Sequence, residues 1–118
     1  MALHLLKLCV GADSVADLEE WVARRADANL RAGLGPVTQH TTRMFPKRRE
    51  ELLAGGSLFW VIRGVVLVRQ RIVDLAAVTG EDGIKRCEIV LDRTLHPTQA
   101  QPRRAFQGWR YLTSEDAP

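Results

Sequence analysis

Residues Pro46–Leu75, PKRREELLAGGSLFWVIRGVVLVRQRIVDL, decide the fold. Pro46 suits the first turn of a helix, where a missing N–H costs nothing, and Lys47–Ala54 follows with Leu52 and Leu53 as anchors. Gly55-Gly56 must end that helix. Leu58–Ile62 (LFWVI) and Val65–Val68 (VVLV) are then apolar on both faces, the pattern of strands covered from both sides in a sheet interior or a small barrel. Arg63-Gly64 between them predicts a two-residue hairpin, because Gly accepts the positive φ such turns need. That turn pairs Ile62 with Val65, Trp60 with Leu67 and Leu58 with Arg69. RQRIVDLAAV continues with ordinary alternation, TGEDG supplies a turn, and Ile84–Leu91 reads as a further strand. Strands joined by short turns argue for an antiparallel meander rather than βαβ units.

The flanks extend this centre. Leu3–Val10 reads as a strand with His4, Leu6 and Leu8 on one face and Leu3, Leu5, Lys7 and Cys9 on the other. Its opening MALHLLKLCV is short and lacks a basic n-region, so a buried first strand is expected rather than a signal peptide. Ser14 offers an N-cap, with Asp17 three residues on as a variant capping box. Val15, Leu18, Val22 and either Ala26 or Leu30 recur at helical spacing, with Trp21 beside the stripe, which predicts an amphipathic helix over 14–32. Gly33 fits its C-cap, and Gly35-Pro36 prevents continuation. Val37–Met44, threonine-rich, is expected as a strand with one exposed face. After Asp92, RTLHPTQAQPRRAF holds two prolines and little periodicity and reads as an extended surface loop. Gly108–Leu112 can return as a closing strand, and residues 113–118 read as a frayed tail.

The 118 residues, 46% apolar and 26% charged, suit one globular domain over 1–118. No run approaches the roughly 18–20 apolar residues of a membrane span, so no membrane partner is expected. Two cysteines, both inside strand-like runs, fit small core residues in a reducing compartment, which makes the cytoplasm the expected location. The net charge of +3 is uneven. Residues 1–35 carry four basic and five acidic side chains, whereas residues 36–112 carry thirteen basic and seven acidic. The sheet-forming part is thus basic, which permits an anionic partner.

Catalytic and metal signatures are absent from the sequence. His4, His40 and His96 are scattered, neither cysteine stands at ligand spacing from another ligand, and Gly55-Gly56 follows a helix where phosphate loops precede one. No cofactor is expected. The basic residues carry the functional reading. Arg69 and Arg71 share a strand face and emerge at the Gly55-Gly56 end, near Lys47, Arg48 and Arg49. They require carboxylate partners, with Glu50, Glu51, Asp74 and Glu88 as candidates, or an open face serving as an anion site. Arg103-Arg104, with Phe106, Trp109, Arg110 and Tyr111, interleaves cations and rings as single-stranded nucleic-acid binders do. The plain alternative is that these rings close one end of the core.

TRMFPKRREELLAGGSLFWVIRG, VRQRIVDL, TGEDGIKRC and QPRRAFQGWRYL, with the opening MALHLLKLCVGADS, resemble a family of small proteins found chiefly in alphaproteobacteria and catalogued as a domain of unknown function. That resemblance spans nearly the whole chain and implies membership but no activity. A looser similarity of pattern, over residues 44–91, is to the PUA and ASCH group of RNA-binding barrels, where a short helix ending in Gly leads into a barrel strand. The Gly-Lys and Glu-x-Arg signature of the ASCH members is absent, so no site residue carries over.

The expectation is therefore an α+β domain: a curved, mainly antiparallel sheet or partial, PUA-like barrel packed by one long N-terminal helix and one short helix. Its expected role is a cytoplasmic binding module for RNA or a small anion, through Arg69, Arg71, Lys47, Arg48, Arg103, Arg104, Arg110 and Trp109. One alternative is an enzyme acting on a phosphorylated or carboxylated substrate, with Arg69 and Arg71 as anion holders and Glu50, Glu51 or His40 as acid–base group. Another is an assembly role through Trp21 or the edge of the Thr38–Met44 strand.

Overall fold

The structure, a computed structural model, describes residues 2–118. Among them the elements run β1 (Leu3–Leu8), α1 (Val15–Arg31), β2 (Val37–Thr42), α2 (Arg49–Leu53), β3 (Ser57–Ile62), β4 (Val65–Thr79), β5 (Lys85–Asp92), β6 (His96–Pro102) and β7 (Trp109–Thr113). The strands form one sheet in the order β2-β5-β4-β3-β1-β7, with β6 alongside β4. Every pair is antiparallel except β1 with β3. The α+β class and the mainly antiparallel sheet are as the sequence reading has them. The sheet does not close: β2 and β7 remain its two ends.

β3 is the axis. All six of its residues are buried, because each face meets its own apolar cluster. Leu58, Trp60 and Ile62 join Leu5, Leu18, Val22, Leu52, Leu75 and Ile89 on one side, while Phe59 and Val61 join Leu6, Val66 and Leu112 on the other. α1 lies over the first face, and Phe106 and Ala117 from the C-terminal segment pack against the second. β4 is shared along its length, pairing through Val65–Arg71 with β3 and through Ile72–Thr79 with β5. Bulges near Leu67 and Val73 bend it, as an unpaired extra residue does. The bend curls β2 over the first face. β2 and β3 stand three places apart in the sheet, about 14 Å if it were flat, yet the rings of His40 and Trp60 meet at 4.8 Å.

The hairpin turn forms with φ of 50° at Arg63 and 79° at Gly64, and Ile62 faces Val65. Beyond that the expected register fails. The bulge places Trp60 opposite Val68, Phe59 opposite Arg69 and Leu58 opposite Gln70. Both strands are apolar on both faces here, so hydrophobic pattern could not report a one-residue slip. Gln70 consequently enters the core. It is fully buried, accepts the Trp60 indole N–H at 2.9 Å and donates to the Asp92 carbonyl at 2.8 Å.

Ser14 caps α1 by accepting the Asp17 N–H, and the Asp17 carboxylate accepts the Asp13 N–H. The helix ends in a Schellman motif, with the Gly33 and Leu34 N–H groups on the Leu30 and Asn29 carbonyls. Of the two candidates for the end of the stripe, Ala26 is buried and Leu30 is 53% exposed. Asn29 takes the last inward position, donating to the Val37 carbonyl and Gln39 Oε1, which fastens α1 to β2. α2 starts at Arg49 rather than Lys47, with Pro46 buried ahead of it. A Cβ on Gly56 would lie 2.2 Å from the Leu3 carbonyl oxygen, so that glycine allows β1 and the end of α2 to meet.

Two expectations need correction. Residues 96–102, read as loop because of their prolines, form β6 against β4. The strand pairs through one edge only, where a missing proline N–H can point away from the ladder. Residues 113–118 are not a free tail. Thr113 ends β7, Ser114 donates to the Ala2 carbonyl, Gln101 and Arg103 donate to the Asp116 carbonyl, and Ala117 packs on the second cluster. No described helix is long and apolar enough to cross a membrane.

Candidate functional site

The basic residues singled out by the sequence occupy three separate places. Arg69 and Arg71 lie on the second face, opposite Phe59 and Ser57. Arg69 is half-buried and donates to the Ser57 hydroxyl at 3.0 Å, while Arg71 is exposed. Neither has a carboxylate within ion-pair distance among the described residues. Two expected partners are engaged elsewhere, Glu51 with Arg48 at 2.9 Å and Asp74 with Arg49 at 2.7 Å. Lys47 and Arg48 sit at α2, where the Arg48 N–H donates to the Tyr111 hydroxyl. Trp109 is pinned in the same region, its indole N–H on the Met44 carbonyl at 2.7 Å and its ring against Tyr111.

The third group adjoins the tip of the β3–β4 hairpin, where the Arg103 N–H donates to the Gly64 carbonyl. Arg103 is held by Gln101 and the Asp116 carbonyl, Arg104 is exposed, and Arg110 lies 5.2 Å over the Phe106 ring. Six strand residues separate this tip from Arg71, roughly 20 Å. The expected meeting of Arg69 and Arg71 with Lys47 and Arg48 is also missing: Arg69 and Arg71 lie on the second face, whereas α2, which Lys47 and Arg48 precede, packs Leu52 into the first-face cluster. His40 does not serve Arg69 either, because its ring packs on Trp60, on the opposite face of the sheet.

The concave face holds a different site. A cavity of about 760 Å³ opens between the first half of α1, the end of β1 and the concave side of β2 and β3. Lys7, Cys9, Trp21, His40 and Trp60 line it, with Asp17, Glu20 and Arg24 contributed by α1. Local structure explains each placement. Lys7 on β1 and Cys9 just beyond its end lie two residues apart on the same side of the chain, the Cys9 N–H still donating to the Val61 carbonyl. The parallel β1–β3 register sets Lys7 beside Trp60, and the antiparallel β1–β7 register sets Trp109 on its other side. Gln70 fixes the Trp60 ring from beneath. The curl of the sheet brings His40 between Trp60 at 4.8 Å and Trp21 at 5.0 Å.

Burial shifts His40, Cys9 and Lys7 toward their uncharged forms. The His40 imidazole is pushed down to about 4 by burial, then by the charges of Lys7 and Arg25, and is neutral at pH 7. Burial raises the Cys9 thiol, against the pull of Lys7. It also lowers the Lys7 ammonium below its ordinary value, against the pull of Cys9. Among the described residues Lys7 has no carboxylate within ion-pair distance. The cavity thus presents, among the described residues, an amine without a carboxylate partner beside flat, uncharged rings, with Asp17, Glu20 and Arg24 on its α1 side. It can meet an anionic or carbonyl group at Lys7 and stack a planar group on the aromatic wall.

Sequence reasoning named Trp21 and His40 for other roles and treated Lys7 as an ordinary strand residue. A signal was present: Lys7 is the one charge on the face Leu3, Leu5, Lys7, Cys9, which the helix must cover. Cys9 and Cys87 are both free thiols, and Cys87 is fully buried, its thiol pushed up to about 11 chiefly by that burial.

Residues 5–118 match the family model described as "Protein of unknown function (DUF1489)". No curated protein and no solved structure matches the chain, so the looser likeness to PUA and ASCH barrels gains no support.

Proposed function

The chain belongs to the DUF1489 family, which assigns no activity, and we propose from its geometry that it is a binding module for a small anionic ligand bearing a planar group. The observation that carries this reading is Lys7, a half-buried amine without a carboxylate partner, facing a cavity walled by Trp21, His40 and Trp60. A volume near 760 Å³ falls within the usual range of small-molecule sites. A charge-assisted hydrogen bond to the ligand contributes roughly 1.5–3 kcal/mol, so Lys7→Gln is expected to weaken binding about tenfold or more. Calorimetric titration with a mononucleotide and with an aryl carboxylate tests it. Equal affinity in the wild type and in Lys7→Gln would contradict it.

RNA binding across the second face is the other reading. Arg69, Arg71, Arg104 and Arg110 all lack carboxylate partners among the described residues, which supports it. It requires RNA affinity that falls steeply with salt and is lost in the double variant Arg69→Glu, Arg104→Glu. Affinity that survives either treatment removes it. Two free thiols support a reducing compartment, and the cytoplasm is the proposed location.

A further inference from the structure

We propose that Lys7 is an imine-forming amine, condensing with the carbonyl of a small aldehyde or keto acid held in the cavity between α1 and the concave sheet face. This rests on the pocket reading above and gives the ligand a reactive group. Three observations converge. The Lys7 amine faces a cavity large enough for such a ligand, and no carboxylate holds it as a locked ammonium. Trp60 stands beside Lys7 in the β1–β3 register, His40 packs on Trp60 within the cavity, and Trp109 flanks Lys7 from β7, which limits solvation of a charged amine. The lowered Lys7 pKa follows from the same burial and enlarges the neutral fraction able to attack a carbonyl.

The step balances without a co-reactant. Ammonium Lys7 sheds one proton, its free electron pair forms the C–N bond as the C=O π bond opens, a second N–H proton moves to that oxygen, and the shed proton returns to the resulting hydroxyl, which leaves as water as the C–O bond breaks. The product is a protonated imine that keeps the single positive charge of the original amine. The positive charge at Lys7 is therefore retained for the ligand's own carboxylate, and Arg24 on α1 stands at the same cavity as a second cation. His40, neutral at pH 7, adds no further fixed charge beside it. Asp17 and Glu20 belong to the α1 side and form no ion pair with Lys7.

The chain supplies its own controls, since Lys47 and Lys85 are its only other lysines and both are exposed. The full chain is incubated with 4-formylbenzoate and cyanoborohydride near neutral pH, and each lysine peptide is followed by mass spectrometry. Lys7 is expected to be reductively labelled at least tenfold faster than Lys47 and Lys85. Labelling of all three at similar rates, or of Lys7 last, overturns the inference. The alcohol analogue, 4-(hydroxymethyl)benzoate, is titrated in parallel. If the alcohol binds and Lys7 gains no selective label, covalent capture falls while the pocket reading stands. If neither probe engages the cavity, both fall.

Discussion

Gly56 and Gln70 show how single residues hold the concave site in place. At Gly56 a side chain would press on two backbone oxygens, of Leu3 at 2.2 Å and of Leu52 at 2.4 Å, and neither can swing aside. Gly56→Ala is expected to cost at least about 3 kcal/mol, read as a fall in the urea midpoint. Gln70 is buried between the Trp60 indole and the Asp92 carbonyl. Leu at this position leaves a donor and an acceptor without partners, so Gln70→Leu should cost about 2–4 kcal/mol by the same measurement. Neither role follows from residue type alone. A Gly-Gly pair announces the end of a helix, but not that a strand passes within contact distance. The sequence VRQRIV offers Gln70 and its arginine neighbours as equal candidates for the solvent face, and the bulge at Leu67 makes the choice.

His40 gives the residue scale a pH dependence. Its folded value of about 4 lies below the ordinary value of 6.5, so the unfolded chain binds the proton more readily. The resulting stability is complete above about pH 6.5 and is lost as pH falls toward 4, amounting to roughly 3 kcal/mol. His4, also lowered by burial and by Arg69, acts in the same direction. Denaturation midpoints between pH 4 and 7 should fall with acidity, and His40→Gln should flatten that slope. An unchanged slope in the variant would show that His40 is not the titrating group.

Among the elements, β3 and β6 stand at opposite extremes. β3 is buried on both faces and hydrogen-bonded on both edges, whereas β6 pairs only with β4 and carries two prolines. Amide exchange is expected to be slowest in β3 and the adjoining part of β4, and orders of magnitude faster in β6. Equal protection in the two strands would contradict this ranking. The same contrast explains what was legible. An apolar run on two faces, a periodic helix with its cap and an Arg-Gly turn are local signals, and β3, β4 and α1 follow from them. β6 has no such signal, because its order comes from the partner edge of β4. The contacts of residues 113–118 are equally non-local, made with Ala2, Gln101 and Arg103.

At the scale of the molecule, the curl of the sheet creates the candidate site. Lys7, Trp21, His40 and Trp60 come from four different elements, and no spacing in the sequence links them. The arginines were legible by composition, yet the fold distributes them over three places. The measurement that bears most directly on the pocket is native mass spectrometry of the chain isolated gently from cells, set beside Lys7→Gln. A small anionic molecule carried by the wild type and missing from Lys7→Gln is expected. Nucleic acid carried by both, and lost only in the Arg69→Glu, Arg104→Glu double variant, would contradict the pocket reading.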